Sequence, residues 1–252
     1  MDVRTARFAV TAGAMLAVTL GVPAIAQAEP QTRQAHYYIE IGGTWDPTAD
    51  NTYNLANTRL DGGIAVKVDY PASPGPGIPF VQTSYDESVH QGWLNASRAL
   101  QGTYNNDPGA RFTIVGYSQG AHVANLVLND VADGRIDIPR SQVDGKLYAD
   151  PMQPGTGIGA IVPRGLSAFG FTSPGPGRVD FAGIPVQRYC INTDGVCDLA
   201  SGLQAPGGYI AQHPCYPRFE LPDTLALPVV HNASPWITPH PLPACAQIPG
   251  LP

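Results

Sequence analysis

One serine lies between two glycines in the segment Gly116-Tyr117-Ser118-Gln119-Gly120. The residues before it, 111–115, are rich in strand-forming types, and those after Gly120 form an apolar stripe at helical spacing: Val123, Leu126, Val127 and Val131. A strand that turns sharply into a helix exposes such a serine for nucleophilic attack. Flanking glycines permit the turn, because a Cβ there would clash with a neighbouring element. The motif predicts Ser118 as a nucleophile, with the Gln119 N–H beside it to stabilise an oxyanion.

A serine hydroxyl needs a base to take its proton, and the base needs a carboxylate to orient it. In open α/β hydrolase sheets the acid and then the histidine follow the serine along the chain. We predict His213 as the base, because His231 and His240 lie in a proline-rich segment. We interpret His122, one helical turn beyond the serine, as a packing residue.

The orienting acid is predicted among the aspartates that follow a strand at 186–190. Asp194 lies between Cys190 and Cys197, and a disulfide that closes so short a loop would fix its carboxylate. We therefore favour Asp194, with Asp198 as the alternative acid.

These residues need a scaffold of alternating strands and helices. Apolar, strand-forming runs occupy five segments, namely 36–41, 64–70, 111–115, 146–149 and 186–190. Helices are predicted from the capping box Ser84-x-x-Glu87 and from Gly120 until Gly134. This alternation predicts an α/β fold, with a central, mostly parallel sheet flanked by helices and with the site at the carboxyl ends of the strands.

Two segments depart from the alternation. Residues 151–185 are rich in glycine, proline and aromatic types, and we expect a long loop there. Residues 222–252 contain eight prolines, so we expect an extended arm without a helix or a central strand. We predict one domain over 29–252 that includes this arm.

Composition excludes several classes of protein. The 252 residues include 28 Gly and 26 Pro, with 13% charged and 43% hydrophobic residues. The low charge and high hydrophobic content exclude a disordered chain. A net charge of −6 excludes a basic nucleic-acid-binding protein, so no nucleic-acid partner is expected.

The first thirty residues have the pattern of an export signal. Arg4 and Arg7 precede the uncharged run 8–20, and Ala26-Gln27-Ala28 forms a small-x-small cleavage site. An uncleaved anchor is the alternative, but the run is shorter than the roughly 20 residues that span a membrane. We predict a cleaved signal peptide over 1–28 and a secreted, extracellular or cell-envelope protein.

An even number of cysteines in an exported chain is typical of disulfides, and four cysteines allow three pairings. Proximity in the sequence favours Cys190–Cys197, which leaves Cys215–Cys245. No C-x-x-C or H-x-x-x-H spacing supports a zinc site, so we expect no metal. The glycines near Gly155 imitate a dinucleotide motif, but prolines bracket them, and we expect no cofactor.

Three motifs resemble those of one known family, the cutinases. The string Gly-Tyr-Ser-Gln-Gly-Ala at 116–121 is similar to the segment that carries their nucleophile. Cys190-x3-Asp194-x2-Cys197 resembles their loop with the catalytic aspartate, in which two cysteines are bridged across the acid. His213-x-x-Tyr216 resembles their catalytic-histidine segment.

Further matches lie at 41–44, 70–73 and 150–151, so the resemblance covers about residues 36–220. The order and spacing, with Asp198 after Asp194, resemble still more closely the cutinase-like PE-PPE domain of mycobacteria and related actinobacteria. The resemblance implies an α/β-hydrolase fold and a triad of Ser118, Asp194 and His213. It also implies an oxyanion hole at Thr44 and Gln119.

The resemblance implies a serine esterase that acts through an acyl-enzyme, and the predicted signal peptide makes it a secreted one. We expect short- to medium-chain acyl esters as substrates, because apolar loops surround the predicted site and no Lys/Arg cluster suits an anionic head group. The expected partner is a small-molecule or lipid ester, with contact to cell-envelope lipids, and we expect a monomer. Two alternatives remain open. The same acyl-enzyme serves an acyltransferase acting on cell-envelope glycolipids, and a chain whose triad has decayed serves as a secreted binding module.

Overall fold

A computed structural model describes residues 34–76, 81–168, 170–241 and Cys245. The predicted signal peptide at 1–28 lies outside these residues. The signal peptide and the boundary of the domain at residue 29 therefore stay predictions. Within the described ranges, no helix combines the length and the apolar character that a membrane crossing requires.

The described residues contain one large sheet and one small hairpin. The strands of the large sheet are β1 His36–Ile41, β2 Ile64–Lys67, β3 Arg111–Tyr117, β4 Val143–Tyr148, β7 Val186–Ile191 and β8 Trp236–Ile237. The hairpin pairs β5 Ser167–Ala168 with β6 Phe171–Thr172. In space the large sheet has the order β2-β1-β3-β4-β7-β8, and its neighbouring strands are all parallel.

Helices connect these strands. They are α1 Asp50–Asn57, α2 Tyr85–Asn106, α3 Gln119–Ala132, α4 Ile158–Ile161, α5 Ala205–Gln212 and α6 Glu220–Thr224. Short 3-10 helices cover Arg140–Gln142, Leu199–Gln204 and His213–Cys215. The predicted α/β architecture, with a parallel sheet flanked by helices, is confirmed.

The core has two halves because successive strand residues point to opposite faces of the sheet. Along β3, Phe112 and Ile114 pack with α2 and α3 on one face. Val115 and Tyr117 pack on the other face with α1 and α6. Burial on both faces explains why β3 reads as a nearly continuous apolar run.

The predicted capping box forms as the sequence indicates. Ser84 adopts an extended backbone, and its side chain accepts a hydrogen bond from the Glu87 N–H at 3.0 Å. At the end of α3, Gly134 has φ +73, a conformation that favours glycine and ends the helix.

Four parts of the chain differ from the sequence predictions. The segment 151–185, expected to be a long loop, contains the short helix α4 and the hairpin of β5 and β6. Helix α1 was not predicted, because its N-cap residue Ala49 provides no side-chain hydrogen bond. The glycine-rich stretch 206–208, which suggests a turn, lies inside α5; Pro206 sits in the first turn, where its missing N–H is tolerated.

The expectation that 222–252 contains no helix is wrong at its start, since Pro222 occupies the first turn of α6. The arm also contributes β8, which forms an edge of the sheet beside β7 and so agrees with the exclusion of a central strand.

Candidate active site

Ser118 is the residue at which β3 turns into α3. It has φ 56 and ψ −120, a strained conformation for a residue with a side chain. A Cβ on Gly116 would contact the Gly120 backbone, and one on Gly120 would contact the carbonyls of Ile41 and Gly42. The two glycines therefore let helix α3 approach β1 and β3 closely enough to hold the strained turn.

The structure brings Ser118, His213 and Asp194 together from three separate segments. His213 Nε2 lies 2.8 Å from Ser118 Oγ. His213 Nδ1 lies 2.9 Å from Asp194 Oδ2 and 3.1 Å from Oδ1. Ser118 and His213 are 7% and 8% exposed, and Asp194 is 0% exposed, so a substrate reaches the serine while the carboxylate stays dry.

The alternative acid does not face the histidine. Asp198 Oδ2 accepts a hydrogen bond from the Thr193 N–H at 2.9 Å. The Asp198 N–H donates to the Asp194 carbonyl at 2.7 Å, and the Val196 N–H donates to Asp194 Oδ1 at 3.2 Å. Asp198 thus shapes the turn that presents Asp194.

Aromatic residues hold the ring of His213. Tyr117 and Tyr209 lie against it with ring centroids 5.0 Å and 4.9 Å away. The Tyr117 hydroxyl donates to the His213 carbonyl at 2.6 Å. Burial raises the pKa of Tyr117 well above its usual value, so this donor keeps its proton. Sequence reasoning missed both tyrosines, because the motif leaves position 117 unrestricted and Tyr209 lies in α5, whose glycines suggested a turn.

Both cysteine pairs are joined in the structure. Cys190–Cys197 closes the turn that carries Asp194, with a sequence separation of 7. Cys215–Cys245 spans 30 residues and ties the arm to the segment that carries His213.

The residues expected to form the oxyanion hole lie beside the serine. Thr44 and Gln119 line the same cavity as Ser118. Because Gln119 is the first residue of α3, its N–H has no acceptor within the helix. Its side chain is fixed, since Nε2 donates to the Ser73 carbonyl at 2.7 Å and Oε1 accepts from Ser88 Oγ at 3.0 Å.

Ser118 faces two cavities. One, of about 540 Å³, is lined in part by Thr44, Gln119, Tyr85 and Phe171. We call it the catalytic cavity. The other, of about 380 Å³, includes His213 among its walls, together with Tyr117, Tyr209, Ile210 and Pro214. We call it the histidine-side cavity.

The other histidines considered from the sequence have different surroundings. His122 Nδ1 lies 3.3 Å from the Tyr85 hydroxyl, and burial lowers the pKa of His122 to about 4. His240 Nε2 lies 2.6 Å from Glu220 Oε1, and His231 is exposed. Within the described part of the chain, no three His, Cys, Asp or Glu side chains group closely enough to hold a metal ion.

Comparisons with known proteins agree with the geometry. The family model described as Cutinase matches residues 34–216. The carboxylesterase Culp6 homolog of Corynebacterium glutamicum is 35% identical in an alignment of 138 residues, and the match covers 46% of this chain and 44% of that protein. The uncharacterized PPE family protein PPE28 of Mycobacterium tuberculosis is 27% identical in an alignment of 218 residues, and the match covers 79% of this chain and 32% of that protein.

The matched regions therefore span less than half the length of either relative. Among solved structures, a cutinase-like protein from Cryptococcus sp. aligns with a TM-score of 0.53 at 17% identity, covering 76% of this chain and 91% of that one. At this identity the likeness shows the shared fold alone.

Proposed function

This chain belongs to the cutinase family, and from that premise we propose that it is a serine hydrolase of carboxylic esters with Ser118 as nucleophile. The observation that carries the proposal is the relay of contacts from Asp194 through His213 to Ser118, at 2.9 Å and 2.8 Å. The same relay disfavours a binding module with a decayed triad, because every member is present and in contact.

In the proposed mechanism, His213 Nε2 takes the Ser118 proton as Oγ attacks the ester carbonyl carbon. The negative charge that develops on the carbonyl oxygen is stabilised by the backbone N–H groups of Thr44 and Gln119. The tetrahedral intermediate expels the alkoxide, which receives its proton from His213. Water then attacks the acyl-enzyme with His213 again as base, and the carboxylic acid leaves.

The alcohol part and the acyl part of the ester are proposed to bind in different cavities. The leaving alkoxide must lie next to His213 Nε2, and His213 lines the histidine-side cavity. The alcohol part therefore occupies that cavity, and the acyl part occupies the catalytic cavity beyond Gln119. Trp45, Tyr209 and Ile210 stand 40%, 48% and 76% exposed around these openings, which suits a lipid-like ester.

Hydrolysis of p-nitrophenyl butyrate tests the proposal. We expect Ser118→Ala to lose turnover and labelling by a fluorophosphonate, whereas Ser141→Ala keeps both, because Ser141 is exposed in the 3-10 helix before β4. Turnover that survives in Ser118→Ala would sink the proposal.

Acyl transfer is the second candidate, and the size of the histidine-side cavity favours considering it. About 380 Å³ bounded by Tyr209, Ile210 and Pro214 accommodates an alcohol in place of water. Adding a glycolipid alcohol to the assay and separating the products decides between them. A new ester indicates transfer, and free acid alone indicates hydrolysis.

We also propose that the protein is exported. The two disulfides support this, because disulfides persist in oxidising compartments. Amino-terminal sequencing of protein from the culture medium should begin at Glu29, and recovery of the intact Met1 form only from cells would contradict export.

A further inference from the structure

A second large cavity lies behind one wall of the catalytic cavity. It measures about 540 Å³ and is lined in part by Val89, Trp93, His122, Leu126 and Pro174, between α2, α3 and the segment after β6. It contains none of the three residues of the proposed triad, and the mechanism above makes no use of it.

The two cavities are lined by residues adjacent in the sequence. Tyr85 and Phe171 line the catalytic cavity, whereas Asp86 and Thr172, the next residue in each case, line the second cavity. The rings of Tyr85 and Phe171 meet edge to face, with centroids 5.2 Å apart.

Tyr85 also contacts the far side of the wall. Its hydroxyl lies 3.3 Å from His122 Nδ1, and His122 lines the second cavity. Tyr85 is the first residue of α2, so its side chain projects from the end of a helix.

The acidic groups around the second cavity have partners of their own, whereas the buried Asn129 Oδ1 has none among the described residues. Asp130 accepts hydrogen bonds from Arg135 Nε at 2.6 Å and from Trp93 Nε1 at 2.7 Å. Asp86 Oδ1 accepts from the Thr172 N–H at 2.9 Å.

His122 adds no charge to the wall at neutral pH, because burial holds its pKa at about 4. The surfaces left for a ligand are therefore mainly apolar, namely those of Val89, Leu126, Pro174 and the Trp93 ring.

We propose that Tyr85 sets the acyl chain length that the enzyme prefers, and that the second cavity receives the distal part of longer acyl chains when the Tyr85 side chain is displaced. This inference rests on the proposed esterase function. The acyl chain is the fitting occupant because the second cavity adjoins the acyl side of Ser118 and offers apolar walls.

The test compares kcat/KM for p-nitrophenyl butyrate, octanoate and palmitate. We expect Tyr85→Ala to raise the palmitate-to-butyrate ratio at least about tenfold, because each methylene buried in the opened cavity adds to binding. Tyr85→Phe keeps the ring and should leave the ratio within about twofold of the wild type.

Filling the second cavity provides the matched control. Leu126 lines that cavity and is only partly buried, so Leu126→Trp narrows it. The double variant Tyr85→Ala/Leu126→Trp should return to the wild-type ratio. Leu126→Trp alone should lower palmitate turnover more than butyrate turnover.

Fluorophosphonate labelling of Ser118 verifies that each variant is folded. A ratio that stays unchanged in folded Tyr85→Ala, or palmitate turnover unaffected by Leu126→Trp, overturns the inference while the proposed function stands. If the wild type hydrolyses none of the esters, the proposed function itself is wrong.

Discussion

Each residue of the proposed triad has a definite partner, and Asp194 shows this most clearly. Its carboxylate is fully buried and faces His213 Nδ1 with both oxygens. A neutral amide at this position would still fit, but it could present its NH2 group to the ring and favour the wrong histidine tautomer.

We therefore predict that Asp194→Asn lowers kcat for p-nitrophenyl butyrate by about 10³-fold or more. Asp198→Asn is the matched control, because an asparagine oxygen can still accept the Thr193 N–H bond that Asp198 makes. We expect that variant to stay within about threefold of the wild type. Similar losses in both variants would contradict Asp194 as the orienting acid.

Glu40 gives a prediction for the pH dependence of stability. It is completely buried on β1, and Oε2 accepts from Asn57 Nδ2 at 3.0 Å, while Oε1 has no partner among the described residues. Burial raises the pKa of Glu40 to about 7 from 4.5, although the Asn57 bond opposes this shift. Its neutral form is thus favoured in the fold, and stability is lost as the pH rises from about 4.5 through 7.

Glu40→Gln removes this titration without changing the shape of the side chain. Its gain in the free energy of unfolding should be about 2–3 kcal/mol larger at pH 8 than at pH 5, measured by urea unfolding. An equal effect at the two pH values would show that Glu40 does not titrate in this range.

Individual site residues could be predicted from the sequence where the proposed chemistry requires a particular residue type. Ser118, Asp194 and His213 lie in motifs whose order along the chain could be predicted, and the structure places them in contact. The ring contacts of Tyr117 and Tyr209 with His213 could not be predicted, because they depend on how β3 and α5 pack together.

At the scale of elements, the turn from β3 to α3 depends on a close approach to β1. A Cβ at Gly120 would clash with the carbonyl oxygens of Ile41 and Gly42. These are backbone atoms, so relieving the clash requires a shift of the chain at the end of β1. Gly120→Ala should therefore lower the free energy of unfolding by at least about 1–3 kcal/mol and reduce fluorophosphonate labelling of Ser118.

Gly102→Ala is the matched substitution near the end of α2, where nothing lies within 4 Å of the added methyl group. It should stabilise the protein by about 1 kcal/mol, as measured by urea unfolding, because alanine is the better helix former. If both alanines have the same effect, close packing at Gly120 is not what holds the turn.

Elements were predictable where apolar periodicity and caps agree, as in β1, β3, α2 and α3. Helix α5 was hidden by its glycines. One of them is required by tertiary structure, because a Cβ at Gly208 would contact the Thr193 carbonyl in the loop beside Asp194. Strand β8 has two residues and forms only by pairing with β7, so no local pattern indicates it.

At the scale of the whole molecule, the arm after α6 contacts the segments that carry Asp194 and His213. β8 pairs with β7, whose end leads into the Asp194 turn. Gln212, next to His213, exchanges two hydrogen bonds with the His240 backbone, at 3.0 Å and 2.8 Å. The Cys215–Cys245 bond fastens the same region.

Replacing each disulfide in turn by serines separates stability from positioning. Loss of Cys215–Cys245 should lower the free energy of unfolding by about 4 kcal/mol, and loss of Cys190–Cys197 by about 2–3 kcal/mol, because the longer loop gains more entropy when opened. Urea unfolding measures both values.

The two disulfide variants should rank in the opposite order when the loss of kcat is compared. The Cys190–Cys197 variant should lose more kcat at pH 7, since its bond closes the turn that presents Asp194. A larger kcat loss in the Cys215–Cys245 variant would instead assign the stronger positioning role to the arm.

The position of this arm along the chain has a consequence for biosynthesis. A ribosome finishes Ser118, Asp194 and His213 before it reaches β8, His240 and Cys245. A nascent chain synthesised only as far as His213 therefore contains all three residues of the proposed triad. It lacks the contacts that the arm makes with β7, Gln212 and Cys215. We expect full reactivity toward esters to arise late, after the arm has docked, so that little active hydrolase is present during translation.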